Sequence, residues 1–349
     1  MNVTRSKMKL SKTILEDMEE TISDSNIPWN ELKDRSVLVT GATGMIGSAI
    51  IRTLFAANER FGLNINIIAC ARDEKKAKTL VDNYNAIFIK NDIREPLVFI
   101  ENVDYIFHCA ANTKSADRVS EPVDVMTSSS DGTRYILELA EKKQIKSVVF
   151  MSSKDIYGQF KGEVIENDLG YIDLTDTRSS YPESKRYCEM LCFAFYSQYG
   201  VPVKIARLSQ TFGAGSLIDD PKIFAQFARS VIAGEDIILH TEGKSYGNYC
   251  YISDTVRALF YLLFRGKDGE AYNITNPKAN MTVREMAELV AHEFGVKVKI
   301  EIPCNIKELG YAPVSAYKLN IDKIIKLGWF PRYEIKDMYK RMIAGWQEN

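Results

Sequence analysis

Between residues 36 and 208, short apolar runs alternate along the chain with longer amphipathic segments. The apolar runs are rich in β-branched residues, as buried strands are, whereas the amphipathic segments have the three-to-four-residue period of helices. The predicted strands are 36–40, 65–71, 86–89, 104–108, 147–151 and 203–207, and the predicted helices are 45–58, 73–83, 131–143 and 182–199. Such alternation builds a parallel sheet with helices on both faces. The pattern therefore predicts an α/β fold with a doubly wound, Rossmann-like parallel sheet.

A glycine-rich turn joins the first predicted strand to the first predicted helix. Gly41 permits the sharp turn, Gly44 lets the backbone approach a pyrophosphate, and Gly47 lets the helix lie close to the strand. The N-terminus of the helix offers free N–H groups and a positive dipole end to phosphates. The spacing G-x-x-G-x-x-G differs from the G-x-G-x-x-G of the dinucleotide-binding dehydrogenases. Because a strand precedes it and a helix follows it, we interpret the turn as a dinucleotide site.

After residue 208 the pattern mixes helices with short strands and loops, which indicates a smaller, mixed α/β second domain. We expect an N-terminal extension over 1–35 and a dinucleotide-binding domain over 36–208. Residues 209–349 would form mainly the substrate-binding domain, with some segments returning to the first domain. In the extension, residues 11–22 have helical periodicity and predict a packing or oligomer-contact arm. Its predicted apolar side consists of Ile14, Leu15, Met18 and Ile22.

Composition narrows the class of protein further. The 349 residues carry a net charge of -1 with both signs interspersed, so we expect neither nucleic acid nor a membrane surface as partner. The N-terminus lacks the apolar core of a signal peptide, and no run approaches the ~20 apolar residues of a membrane span. Six cysteines lack C-x-x-C pairing, and three histidines lack ligand spacing. These features predict a cytoplasmic enzyme without a metal site.

The ends of the next strands carry candidate cofactor contacts. Arg72 follows the second strand, where a basic residue suits the 2′-phosphate of NADP, although Asp73 keeps NAD open and a solvated arginine is the alternative. Asp92, after the third strand, is placed to hydrogen-bond the adenine amino group. Small residues, Ala110 and Ala111, follow the fourth strand and allow close backbone approach. These positions predict NAD(P), with a mild preference for NADP.

The fifth strand ends in Ser153, and a tyrosine and a lysine follow four residues apart on the next helix. At this spacing Tyr181 and Lys185 share one helix face. An ammonium group near a phenol favours the phenolate, so we expect Lys185 to lower the pKa of Tyr181 and make it a general acid or base. Ser153 is placed to hydrogen-bond the reacting hydroxyl, and Lys185 to hold the nicotinamide ribose.

These motifs together resemble those of the extended short-chain dehydrogenase/reductase family. The resemblance rests on residues 40–47, 108–111, 152–153 and 156–158, and on Tyr181 with Lys185. It covers most of the chain after residue 35. Within the family, the sequence resembles the nucleotide-sugar epimerases, dehydratases and decarboxylases, above all the relatives of UDP-glucuronate decarboxylase.

The resemblance implies that a bound NAD(P) oxidises a nucleoside-diphosphate sugar at C4, and that the protein is a homodimer paired through a helix bundle. It implies a set of cofactor-binding residues: Gly41, Thr43, Gly44, Met45, Ile46, Gly47, Arg72, Asp92, Ile93, Ala110, Ala111, Tyr181, Lys185 and Leu208. Ser153, Asp155, Tyr181 and Lys185 would be catalytic, and Thr113, Gln210, Thr211 and Lys222 would contact the substrate.

Two departures from the family pattern bear on the reaction. Dehydratases of the family carry an Asp-Glu pair after the strand-five serine or threonine, where this chain has Lys154 and Asp155. Because Lys154 cannot supply a carboxylic acid, ordinary 4,6-dehydration is disfavoured. In addition, a family arginine that binds the diphosphate is replaced by Gly247. Among the possible reactions, epimerisation requires the fewest residues beyond Ser153, Tyr181 and Lys185. Decarboxylation and keto-sugar reduction stay open. The alternative from another class is a catalytically silent dinucleotide-binding module.

Overall fold

The computed structural model describes residues 10–98, 102–304 and 316–348. Its strands are β1 (Ser36–Thr40), β2 (Asn66–Ala71), β3 (Ile87–Lys90), β4 (Tyr105–His108), β5 (Ser147–Ser153), β6 (Lys161–Val164), β7 (Val203–Leu208), β8 (Gln210–Phe212), β9 (Ile237–Leu239), β10 (Tyr246–Gly247), β11 (Tyr249–Tyr251), β12 (Glu270–Ile274), β13 (Met281–Thr282), β14 (Val298–Ile300) and β15 (Ala316–Leu319).

The helices cover both faces of the main sheet and form much of the C-terminal part. They are α1 (Lys12–Ile22), α2 (Met45–Phe61), α3 (Glu74–Tyr84), α4 (Asp117–Ser120), α5 (Pro122–Lys143), α6 (Ser180–Tyr199), α7 (Ile223–Ala233), α8 (Ile252–Arg265), α9 (Val283–Phe294), α10 (Asp322–Ile325) and α11 (Ile335–Gln347). Short 3₁₀ turns lie at Trp29–Leu32, Lys154–Tyr157, Thr177–Ser179 and Pro277–Ala279. No helix among the described residues is long and apolar enough to span a membrane.

Seven strands form one parallel sheet in the order β12-β7-β5-β4-β1-β2-β3. The order reverses between β1 and β4, as in doubly wound folds, where ligands bind beyond the carboxyl ends of the strands. The register aligns Thr40 with His108 and Ser153 with Leu208, so the loops after these strands meet at one edge. The predicted α/β doubly wound fold is confirmed.

Both faces of the sheet are buried, because consecutive apolar side chains along a strand point alternately to its two faces. On β1, Val37 and Val39 point into one core with Phe107, whereas Leu38 points into the other with Phe150. Each such side chain contributes roughly 1.5–3 kcal/mol on burial. This burial on both faces explains why the strands are continuous apolar runs in the sequence.

Two elements of the sheet layer differ from the sequence prediction. The strand β12 was not predicted, and it pairs with β7 from beyond residue 209. Helix α5 begins at Pro122 rather than at 131. The hydroxyls of Thr127 and Ser129 donate to backbone carbonyls one turn earlier, and the Cys188 thiol of α6 donates to the carbonyl of Ser129. Packing on α6 thus supports a segment whose Ser/Thr residues have low helix propensity.

The N-terminal extension packs onto the body of the protein. Ile14 and Ile22 are buried, but Leu15 is 50% exposed, so the predicted apolar side of the helix is wrong at that position. Asp17 of α1 instead enters the protein and accepts hydrogen bonds from Arg341. This buried pairing, and not an apolar stripe alone, fixes the helix.

Candidate active site

The glycine-rich turn after β1 has a geometry that two of its glycines make possible. Gly41 has a φ of 64°, and a Cβ there would lie 2.8 Å from the Ala110 backbone. A Cβ on Gly47 would lie 2.4 Å from the carbonyl oxygen of Gly41. No described side chain caps the N-terminus of α2, so its first N–H groups are free for a ligand. The turn is therefore shaped for close contact with a phosphate group.

A cavity of about 420 Å³ opens beside this turn. Its volume is in the range of small-molecule and cofactor sites. The cavity is lined by predicted cofactor residues of the turn and strand ends, namely Gly41, Thr43, Gly44, Arg72, Ile93, Ala110 and Ala111. Ile93 fits because Gly132 of α5 leaves it room: a Cβ on Gly132 would lie 2.0 Å from the Ile93 side chain.

The other predicted cofactor residues do not line this cavity. The Met45 sulfur accepts a hydrogen bond from Ser216 at 3.3 Å, and Ile46 packs against the core. Leu208 is buried at the end of β7. His108, by contrast, is a core residue, joined to Thr40 by a hydrogen bond of 2.8 Å.

Charged groups surround the end of β2. Arg72 is 72% exposed and lies 4.0 Å from a carboxylate oxygen of Asp92. Asp92 is bound at 3.1 and 2.9 Å by Arg94. Asp73 caps α3, where it accepts the Lys76 N–H at 3.0 Å. Both carboxylates are therefore engaged, and Arg72 has its guanidinium largely in solvent.

The predicted catalytic side chains meet at the carboxyl end of β5. Tyr181 and Lys185 are buried on α6, and Ser153 is within hydrogen-bonding reach of the Tyr181 hydroxyl. The Lys185 ammonium lies 6.0 Å from the centroid of the Tyr181 ring. It donates to the carbonyl of Met151 at 2.8 Å. The structure thus brings the three residues together, next to the strands that bear the cavity.

The predicted effect of Lys185 on Tyr181 is not observed. Burial, followed by the charge of Asp155, raises the pKa of Tyr181 to about 12. Arg118 and the contact with Ser153 lower it only in part. The prediction of a lowered pKa is wrong, because desolvation of the phenolate outweighs the nearby cations.

Two cations hold the carboxylate of Asp155. Arg118 of α4 binds one oxygen and Lys154 the other, each at 3.1 Å. Burial alone would raise the pKa of Asp155, but the charges of Lys154 and Arg118 bring it below the usual value. Asp155 is therefore ionised at neutral pH. It can act as a base there, whereas it is not protonated to act as an acid.

Arg118 is a residue of this site that no pattern in the sequence indicated. Its guanidinium carbon lies 3.9 Å from the centroid of the Tyr181 ring. It belongs to the four-residue helix α4, which has no periodic signal, and it is separated from Tyr181 by more than sixty residues. The Asp-Arg dipeptide after the fourth strand was the available sign, and it resembles any solvated pair.

The predicted substrate residues differ in their exposure and in their partners. Thr113 is exposed and Gln210 half-buried. Thr211 is buried, and its hydroxyl lies 3.2 Å from that of Thr255, so it is satisfied inside the protein. Lys222 is paired with Asp220 at 3.3 Å.

Gly247 has no room for a side chain. A Cβ there would lie 2.2 Å from the ring of Tyr249. The family arginine therefore cannot stand at this position while Tyr249 keeps its place.

Residues 37–275 match the model of the NAD dependent epimerase/dehydratase family. The match spans well over half of the chain, so the protein belongs to this family. It is an NAD-dependent enzyme of the epimerase/dehydratase type, which confirms the predicted family and the predicted nicotinamide dinucleotide.

Individual relatives catalyse different reactions. UDP-glucuronic acid decarboxylase 6 of Arabidopsis thaliana is 28% identical over 303 residues, covering 86% of this chain and 85% of the relative. The UDP-glucose 4-epimerase of Thermotoga maritima, solved with UDP-glucose, has a TM-score of 0.77 at 23% identity and covers 89% of this chain and 98% of its own. The dTDP-glucose 4,6-dehydratase of Bacillus anthracis, solved with NAD, has a TM-score of 0.74 at 21% identity, with 90% and 97% covered. At these identities the two structures support the fold alone.

Proposed function

We propose that this enzyme oxidises a nucleoside-diphosphate sugar at C4 as the first step of its reaction. The observation that carries the proposal is the meeting of Tyr181, Ser153 and Lys185 at the sheet edge where the glycine turn opens. The dinucleotide fits the residues present, because the glycines let the turn close against Ala110 and let α2 pack on the turn, beside a cavity of about 420 Å³. When bound, the nicotinamide accepts a hydride from the sugar carbon and returns it.

The side chains divide the proton chemistry between them. The Tyr181 oxygen takes the proton of the C4 hydroxyl, and Ser153 hydrogen-bonds the same hydroxyl and orients it. Lys185 holds the nicotinamide ribose, for which its ammonium must leave or share the Met151 carbonyl. Burial holds the phenol in its neutral form, and the positive charge of a bound nicotinamide would favour its ionisation.

Epimerisation is the net reaction that the site supports best. Return of hydride to the other face of a rotated ketone needs no further acid, and Asp155, bound by two cations, cannot provide one. Dehydration needs an acid at the position of Lys154. Decarboxylation is the second candidate, because loss of carbon dioxide from a β-keto acid depends on the ketone, and the decarboxylase of Arabidopsis thaliana is similar over 86% of this chain.

We further propose that the site binds NAD(P) with a mild preference for NADP, and that two copies pair through α5 and α6. Arg72 is exposed where the 2′-phosphate would lie, and Asp73, the alternative ribose ligand, is engaged in capping α3. Val123 of α5 is 70% exposed and Met190 of α6 is 62% exposed, which suits burial against a second copy. Six free thiols are consistent with the cytoplasm.

The oligomeric proposal is tested by light scattering after size exclusion. We expect a dimer for the native chain and a monomer for Met190→Lys. Leu174→Lys, at another exposed apolar residue, is the control and should stay dimeric. A monomeric native chain overturns the pairing.

The catalytic proposal is tested by what the purified protein binds and converts. Native mass spectrometry should show a co-purifying NAD or NADP. Incubation with UDP-glucose, UDP-N-acetylglucosamine or UDP-glucuronic acid should give a C4-altered or decarboxylated sugar by NMR. A protein that takes up neither dinucleotide, or that converts no nucleotide sugar, contradicts the proposal.

A further inference from the structure

Arg118 lies closer to the Tyr181 ring than Lys185 does. The guanidinium carbon is 3.9 Å from the ring centroid, against 6.0 Å for the ammonium of Lys185. Lys185 is also committed elsewhere, since it donates to the Met151 carbonyl at 2.8 Å. In this structure the cation stacked on the tyrosine is therefore the arginine. A guanidinium over an aromatic face is attracted by the ring, and more strongly when it is desolvated.

Two further contacts fix Arg118 in this place. Its Nη1 donates to Asp155 at 3.1 Å, and its carbonyl accepts the hydroxyl of Ser180, the residue before Tyr181, at 3.3 Å. Its Nε is buried and has no hydrogen-bond partner among the described residues. Because a buried donor without a partner is unfavourable, Nε does not hold Arg118 here, and the ring and the carboxylate do.

We propose that Arg118 is a positioning residue for Tyr181, holding the ring in place and supplying positive charge that favours the phenolate during C4 oxidation. The proposal rests on the proposed function for the role of the phenolate. It concerns a residue that neither the motif nor the family match assigns.

The charges that face the phenol come from three elements. Asp155 and Lys154 lie in the turn after β5, Arg118 comes from α4, and Lys185 from the helix of the tyrosine itself. The negative charge of Asp155 disfavours the Tyr181 phenolate. Arg118 favours the phenolate in two ways, by its own positive charge and by neutralising Asp155. Loss of Arg118 therefore removes an attractive charge and exposes a repulsive one. An opposite charge at this distance shifts a pKa by about one to three units.

A purely structural role for Arg118 makes a different prediction. If Arg118 only anchored α4 to the start of α6, its loss would lower turnover equally at every pH. If it sets the charge at Tyr181, the acidic limb of the pH profile moves. The two roles are therefore distinguished by the position of the limb and not by the amount of activity.

The test compares Arg118→Met, Arg118→Lys and Arg265→Met as full-length proteins. Arg265 is the matched control, because its guanidinium lies 5.3 Å from the Tyr261 ring and bonds the Leu327 carbonyl away from the site. The kcat for UDP-glucose or UDP-glucuronic acid, whichever the native enzyme converts, is measured across pH. Circular dichroism checks that each variant is folded.

We expect the acidic limb of Arg118→Met to move up by about one to three pH units. Arg118→Lys keeps the charge but loses the planar face, so its limb should stay near the native position while kcat falls. Arg265→Met should match the native enzyme. A limb that stays in place in Arg118→Met overturns the proposal, and if that variant is unfolded, a limb that moves in Arg118→Lys does so.

A second measurement does not depend on the substrate. With tyrosine labelled by ¹³C at Cζ, the resonance missing from Tyr181→Phe reports the ionisation of Tyr181 in the NAD complex. At the midpoint for the native protein, the phenol of Arg118→Met should stay protonated; equal midpoints overturn the proposal. A native enzyme that converts no sugar would refute the proposed function, while this titration still decides the role of Arg118.

Discussion

Glu189 on α6 is bound by Arg207 on β7 inside the protein. Nη2 of Arg207 donates to the carboxylate at 2.7 Å, and Nε donates to both oxygens at 3.1 and 3.2 Å. Ser152 donates to the same carboxylate from β5. Glu189 follows Lys185 by one helical turn, so this ion pair fixes the helix that carries Tyr181 against two strands of the sheet.

Glu189→Ala should destabilise the protein by about 3–5 kcal/mol, because it leaves Arg207 buried without a counter-charge. Urea unfolding measures the change. Glu138→Ala is the control, since Glu138 is paired with Arg134 at the surface and should cost about 0.5 kcal/mol or less. Equal losses in the two variants would show that the buried pair has no special role.

Tyr181→Phe should lower turnover roughly a hundredfold or more, because it removes the group that accepts the proton. The ring stays in the variant, so the stack with Arg118 and the fold should persist. Steady-state kinetics and circular dichroism test both parts. Turnover close to that of the native enzyme would refute the catalytic role of Tyr181.

Asp155→Asn should separate the candidate reactions. An epimerase should keep most of its activity, because the ionised Asp155 is not needed to return hydride to C4. A decarboxylase or dehydratase that uses the carboxylate as a base should lose it. Loss of decarboxylation of UDP-glucuronic acid in Asp155→Asn would support the second candidate, whereas retained C4 epimerisation would support the first.

Gly47→Ala should weaken dinucleotide binding, because its Cβ would lie 2.4 Å from the Gly41 carbonyl and push α2 away from β1. Overpacking of this kind costs about 1–3 kcal/mol. Ser48→Ala, the next residue on the same helix, adds no atom and serves as the control. Isothermal titration with NAD measures both, and unchanged affinity in Gly47→Ala would contradict the close packing.

Arg72→Ala should lower the affinity for NADP roughly tenfold or more and leave that for NAD nearly unchanged, because only NADP carries the 2′-phosphate. Lys75→Ala, at an exposed neighbour on α3, is the control for general charge effects. Equal changes for the two dinucleotides would reject the assignment of Arg72.

Much of the sheet was predictable, because parallel strands that are buried on both faces consist of continuous apolar runs in the sequence. The strand β12 escaped prediction because Glu270–Ile274 is short and contains Glu and Asn. Its buried Asn273 accepts the Tyr157 hydroxyl at 2.6 Å, a partner 116 residues away that no local pattern reveals.

The candidate site was predictable where residues lie close in sequence or end predicted strands. Tyr181 and Lys185 share a helix face, and Ser153 ends a strand of the sheet, so their meeting follows from the fold class. Arg118 belongs to a four-residue helix with no periodicity. Its approach to Tyr181 depends on how the segment after β4 folds back, which a local pattern does not encode.

The sequence by itself determined the parallel sheet, the glycine turn that suits a dinucleotide and the spacing that puts Tyr181 and Lys185 on one face. These features depend on continuous apolar runs, on the helical period of 3.6 residues and on the steric demands of glycine, which are local. Only the tertiary structure decided the charge around Tyr181, because burial and the approach of Arg118 and Asp155 are set by distant segments packing together. Desolvation then outweighs the lysine that the motif supplies, which is why the phenol is neutral before the cofactor binds.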